Sequence, residues 1–385
     1  MKPSRRSQIE PFRVMEVLDA ANRRARQGHP VFHLEAGQPS TMAPRLALDA
    51  ASRALNSMTL GYTEALGLPP LRERIARHYA GTYGVDVAPE RVIVTTGSSA
   101  AFVLAFLLAF DQGQCLAIAN PGYPAYRNIA RALDLRTHLV DCGIERDFRM
   151  SARDLAGVSA DGVLIASPSN PCGTVMPPGD IRDIAALCRE RGMALISDEI
   201  YHGLTYDCSA QTALAFDPDA IVINSFSKYY SMTGWRIGWM IVPADLVASV
   251  ERLTQNFYIS PPTLSQVAAM AAMDAHDELE GHVARYRGNR DRLLAALRQC
   301  GFDQLAPAEG AFYLYARTTP FGLSSPEFSR RLLAETGVAA TAGLDFDPVS
   351  GAEWIRFSYA GSEADVSSAA DLLVGWCARV RSGRS

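Results

Sequence analysis

With 385 residues, 48% of them hydrophobic and 20% charged, the chain is long enough for one large domain plus a smaller one, and its composition is that of an ordinary globular protein rather than a disordered one. A formal net charge of −4 gives no global electrostatic case for nucleic acid or an anionic membrane as partner, which leaves a small molecule favoured. The cysteines (Cys115, Cys142, Cys172, Cys188, Cys208, Cys300 and Cys377) stand singly, with no CxxC pair and no Cys/His spacing suited to zinc, so they are read as reduced thiols in a cytoplasmic protein without a metal site.

The N-terminus carries Arg5, Arg6 and Arg13 but no apolar stretch, and Glu10, Glu16 and Asp19 argue against an organellar leader. Ile9 to Gln27 is read as an amphipathic helix with Val14, Val17, Leu18 and Ala21 on one stripe. The longest apolar run, Ala100 to Phe110, falls short of the roughly 20 residues a bilayer span needs. From there the chain alternates helical stretches with short apolar runs: Arg91 to Thr95, Cys115 to Ala119, Val163 to Ser167, Ala194 to Ser197 and Ala220 to Asn224. Strands that are apolar on both faces and separated by helices indicate an α/β architecture around a covered parallel sheet. Beyond about Ala275 the pattern becomes α+β. A long charged helix (His276 to Gln299) leads to a strand (Ala311 to Ala316), a helix (Pro326 to Glu335), a strand (Glu353 to Tyr359) and a last helix. The expected division is a segment 1–40 packing with the smaller domain, a large domain 41–275 and a small domain 276–385.

Ligands of open parallel sheets sit outside the carboxyl ends of the strands, so the residues following each strand carry the functional reading. Thr96-Gly97-Ser98-Ser99 opens an apolar helix, whose free N–H groups suit a phosphate. The later strand ends bring Asn170 in PSNPCGT, Asp198 and Tyr201 in DEIY, and Ser225 and Lys228 in SFSK, followed by Arg236. Each group alone has a bland explanation as a cap, turn or surface charge. Together they point to one rim, because Asn170, Asp198 and Lys228 are spaced 28 and 30 residues apart, the length of successive crossover units.

SFSKYYSMTGWRIG (Ser225 to Gly238), with PSNPCGT and DEIY, resembles the fold-type I, class I/II aminotransferases, and the resemblance runs from Gly37 in HLEAGQPS to Arg356 in WIRFSYA. It implies a pyridoxal 5′-phosphate (PLP) transferase fold, with a seven-stranded, mainly parallel sheet between helices and a smaller α+β domain. It also implies that Lys228 forms the Schiff base and shuttles protons, as only an amine can. Asp198 would hold the pyridine nitrogen protonated so that the ring acts as an electron sink. Tyr201 and Asn170 would bond the phenolic oxygen, and Tyr123 would cover the ring. Ser98, Ser99, Ser225 and Arg236 would take the phosphate, joined by Tyr62 from a neighbouring subunit of a homodimer. Arg356 would grip the α-carboxylate, with Gly37 beside it.

The expected reaction is ping-pong transfer of an amino group from an L-amino acid to a 2-oxo acid, in the manner of an aspartate aminotransferase. No arginine dedicated to a side-chain carboxylate is identifiable, and Tyr258 with Ile259 to Pro262 could equally line an apolar pocket. A β-lyase of the same fold is the rival chemistry. A ligand-sensing module fused to a DNA-binding segment is the rival class, and the stretch before Gly37 is too short for it. Cys172, inside PSNPCGT, is read as packing rather than chemistry.

Overall fold

The computed structural model describes residues 2–383, so the outermost ends of the expected segments 1–40 and 276–385 lie outside the described residues. In chain order the elements are α1 (Arg13–Arg26), β1 (Phe32–His33), α2 (Arg45–Ser57), α3 (Pro69–Tyr83), β2 (Val92–Thr95), α4 (Ser98–Ala109), β3 (Cys115–Asn120), α5 (Pro124–Ala132), β4 (Arg136–Asp141), β5 (Gly162–Ala166), α6 (Pro178–Arg191) and β6 (Ala194–Asp198). They continue with β7 (Ile221–Ser225), β8 (Gly238–Ile241), α7 (Val247–Phe257), α8 (Thr263–Ala272), α9 (His276–Cys300), β9 (Tyr313–Arg317), α10 (Ser325–Thr336), β10 (Val338–Ala339), β11 (Thr341–Ala342), β12 (Trp354–Ser358) and α11 (Glu363–Arg381).

Seven strands form one sheet in the order β2-β8-β7-β6-β5-β3-β4, parallel except for β8, which runs antiparallel to both its neighbours. Because side chains alternate across a strand, each apolar run feeds two cores at once. Val92 and Val94, Val163 and Ile165, Leu195 and Val222 enter a core with α3, α6 and α8, while Ile93, Leu164, Ile196, Ile221 and Ile223 enter the opposite core with α4, α5 and α7. Each such fully buried side chain contributes about 1.5–3 kcal/mol, which is why the strands read as unbroken apolar runs.

Two strands escape the sequence reading for physical reasons. β4 is a half-exposed edge strand whose polar residues (Arg136, Thr137, His138) dilute the apolar signal, and β8 is only four residues long and begins at a glycine. The first helix starts at Arg13 rather than Ile9; Pro11 lies in the extended stretch before it.

A second, antiparallel sheet of order β11-β12-β9 packs with α9, α10 and α11 around Phe312, Leu314, Phe328, Ile355, Phe357 and Trp376. β1 pairs in parallel with β10, bringing the N-terminal stretch against this second body. Asn120, Asp198 and the turn after β7 end on one edge of the large sheet, and β9 and β12 face that edge. Among the described residues no helix is long and apolar enough to cross a membrane.

Candidate active site

A cavity of about 600 Å³ lies between that sheet edge and the second body. It brings together Gly37, Ser98, Ser99, Tyr123, Asn170, Asp198, Tyr201, Lys228, Arg236 and Arg356, ten of the residues singled out in the sequence. The Lys228 amine donates to the Gly37 carbonyl at 2.7 Å and lies 5.8 Å from the Tyr201 ring centroid. Burial, reinforced by the Arg356 and Arg236 charges, lowers its pKa to about 8, against an opposing pull from Asp198. An amine so poised is neutral often enough near neutrality to act as a nucleophile or base.

Asp198 closes β6 and is almost fully buried. Tyr126 donates its hydroxyl to one carboxyl oxygen and the Ile200 amide donates to the other at 3.1 Å. Burial raises the Asp198 pKa to about 6, with these two hydrogen bonds and Lys228 pulling the other way. A cation brought beside this carboxyl would hold it ionised, so the position suits a protonated ring nitrogen. Behind it, Glu199 is wholly buried, one carboxyl oxygen accepting from Ser197 (3.1 Å), Thr212 (2.9 Å) and the Ala213 amide (2.9 Å). Desolvation raises its pKa to about 8, so it is mainly a neutral acid at pH 7.

At one end of the cavity Gly97 precedes Ser98 and Ser99 at the start of α4, with φ at +80°. A Cβ on Gly97 would stand 2.5 Å from an Arg236 guanidinium nitrogen, so glycine is what lets the guanidinium and the helix N-terminus meet. At the other end Arg356, on β12 and 2% exposed, is held between the faces of Tyr313 and Phe346 at 4.4 and 4.5 Å. Its terminal nitrogens donate to Asn170 Oδ1 (2.8 Å) and the Glu35 carbonyl (2.5 Å), both neutral acceptors, and its Nε is buried without a partner. A buried cation whose bonded partners are all neutral is a site for an anion.

Two further expected residues, Ser225 and Tyr62 (the latter expected to serve a neighbouring subunit), do not line this cavity themselves. Ser225 is buried at the end of β7, where its hydroxyl is taken up by Ser227 (2.9 Å) and the Ile237 carbonyl (3.0 Å), and of these two serines it is Ser227 that lines the cavity. Tyr62 is 82% exposed and does not line this chain's cavity. Cys172 is buried against Phe148, Tyr315 and Trp354. The sequence reading missed Tyr126, Tyr313 and Phe346. Tyr126 had a signal, since it follows Tyr123 by three residues at the start of a helix and so shares its side; the other two had none.

The family model of aminotransferase class I and II matches residues 29–373. The chain is a class I and II aminotransferase. Among this aminotransferase's curated relatives, valine–pyruvate aminotransferase of Mycobacterium tuberculosis is 46% identical over 377 residues, covering 96% of this chain and 97% of the relative. The (5-formylfuran-3-yl)methyl phosphate transaminase of Methanocaldococcus jannaschii is 34% identical, covering 95% and 96%. Among solved structures, an aminotransferase from Mycobacterium tuberculosis superposes with a TM-score of 0.96 at 45% identity over 98% of this chain and 99% of that one. The aspartate aminotransferase of Thermus thermophilus with maleate gives 0.92 at 29% identity over 97% and 99%. These relatives transfer amino groups, and a β-lyase is not favoured. Class I and II aminotransferases depend on PLP. The donor set of this aminotransferase fits that group, with a helix N-terminus and Arg236 for a phosphate, a buried carboxyl for a ring nitrogen and an amine for an aldehyde.

Proposed function

We propose that this chain is a PLP enzyme, linked to the cofactor through Lys228, that transfers the amino group of a small aliphatic L-amino acid, valine foremost, to pyruvate. The observation carrying the substrate side is the charge inventory of the cavity. Besides Lys228 it is lined by only two cations, Arg236 against the Gly97 turn and Arg356 with Asn170. Phe12, Met15, Leu18 and Ile200 add apolar wall. Among the described residues this chain supplies no further guanidinium or ammonium to the cavity for a second carboxylate, whereas its apolar wall suits an aliphatic side chain. The identity to the valine–pyruvate enzyme supports the same reading.

When bound, the cofactor acts as an electron sink and carries the amine between the two half-reactions. The protein's own groups do the rest. Arg356 holds the α-carboxylate through its fork, its plane fixed by Tyr313 and Phe346. Lys228, whose amine would hold the cofactor, is the group placed to take and return a proton at the substrate Cα. Asp198, oriented by Tyr126 and the Ile200 amide, would keep the ring nitrogen protonated. Tyr201 and the Asn170 amide would bond the phenolic oxygen, Tyr123 would cover the ring, and Ser98, Ser99 and Arg236 would take the phosphate, with the linked hydroxyls of Ser225 and Ser227 beside them.

The working unit is a cytoplasmic homodimer whose Tyr62 completes the partner's phosphate site. Its support is the exposure of Tyr62 together with the large apolar side chains that precede it in the chain, Leu55, Met58 and Leu60. Within each subunit, 41–275 forms the large domain and 276–385 the small one, with 1–40 on the latter.

The decisive experiment follows the absorbance of purified holoenzyme on adding single amino acids without acceptor. Valine is expected to convert it fully, with pyruvate restoring it. A faster half-reaction with aspartate or glutamate than with any aliphatic amino acid would overturn the substrate assignment.

A further inference from the structure

Tyr313 touches both halves of the site. Its hydroxyl lies 2.7 Å from the Tyr201 hydroxyl, with the two rings edge to face at 81°, and its ring face lies against Arg356 at 4.4 Å. The register explains the double contact. Tyr313 pairs with Ser358 and Tyr315 with Arg356 on adjacent antiparallel strands, so Tyr313 and Arg356 are diagonal neighbours on one sheet face. Both phenols are buried, which raises their pKa values, that of Tyr201 well above solution, and keeps them protonated. Gly37 makes room for the contact, because a Cβ there would overlap the Tyr313 hydroxyl.

We propose that Tyr313 is a positioning residue: its hydroxyl donates to Tyr201, strengthening Tyr201 as donor to the cofactor's phenolic oxygen, while its ring fixes the Arg356 guanidinium. The proposal rests on the Lys228 and Tyr201 assignments above. Proton counting sets the direction. Each phenol has one hydrogen, so Tyr201 can donate to the cofactor and keep its contact with Tyr313 only if Tyr313 is the donor between them. A donor onto the Tyr201 oxygen polarises its O–H bond, so the phenolic oxygen is better held as an anion and the Lys228 linkage loses its proton more readily. One ring thereby ties the carboxylate grip to the proton affinity at the cofactor.

The test is a pH titration of the visible absorbance band of the holoenzyme for wild type, Tyr313→Phe, Tyr201→Phe and the double variant. Tyr313→Phe keeps the ring and removes one oxygen, and it is expected to raise the titration midpoint by about half a unit to one unit. In the Tyr201→Phe background the same substitution should produce no further shift. Tyr313→Leu, which also removes the ring from Arg356, should add a rise in the donor KM. A Tyr313→Phe midpoint equal to wild type, or an equal shift with Tyr201 already gone, overturns the proposal. A wild-type protein with no such band after cofactor is supplied sinks the Lys228 reading instead, and the two failures are distinguishable.

Discussion

Replacing Arg356 by lysine keeps a positive charge and removes the planar fork. In the folded protein the guanidinium is clamped between two aromatic faces at 4.4 and 4.5 Å and anchored by Asn170 and the Glu35 carbonyl, so little freedom is left to lose when a carboxylate arrives. A hydrogen bond to a charged group is worth about 1.5–3 kcal/mol, and an ammonium supplies one where the fork supplies two. Losing the aromatic sandwich adds about 0.5–1 kcal/mol. The combined loss of about 2–4 kcal/mol corresponds to a fall in kcat/KM for valine of roughly 30- to 1000-fold. The assay is single-turnover conversion of the holoenzyme by valine, run beside isobutylamine, which has the same side chain and amine but no carboxylate. The amine should react with wild type and variant at nearly the same slow rate. A loss below about threefold with valine, or an equal loss with the amine, would refute the assignment of Arg356 to the carboxylate.

Two further predictions follow from buried groups and exposed faces. Glu199 has its pKa raised to about 8 in the folded chain, against a carboxyl value near 4.5 when unfolded, so the native state holds the extra proton between those limits. Stability from this group is complete below about pH 4.5 and is lost as pH rises to about 8. Glu199→Gln, which keeps an acceptor for Ser197, Thr212 and Ala213, should therefore gain on wild type by up to a few kcal/mol across that window in urea melts; a wild-type-minus-variant difference flat from pH 5 to 8 would count against it. Leu60→Asp places a charge on the exposed stretch that leads to Tyr62 and should yield a monomer by light scattering with at least tenfold weaker cofactor retention. A fully dimeric, fully loaded variant would contradict the shared-site reading.

Much of the site was legible because its chemistry sits at strand ends. Once the apolar runs are recognised as parallel strands, right-handed crossovers force Asn170, Asp198 and Lys228 onto one edge whatever the loops do. The family followed from local motifs for the same reason. Local sequence could not say which serine faces the cavity: Ser225 and Ser227 are two residues apart, and only the turn after β7 turns the first inward to the Ile237 carbonyl. Nor could it pair Tyr126 with Asp198 across 72 positions, or Tyr313 with Tyr201 across 112. Such contacts carry no periodicity. They arise only when elements distant in the chain pack, α5 against the end of β6 and β9 against β12 and the turn after β6, so the aromatic clamp on Arg356 and the apolar wall beside it exist only in the tertiary structure, whereas the order of chemical groups along the rim is a property of the chain.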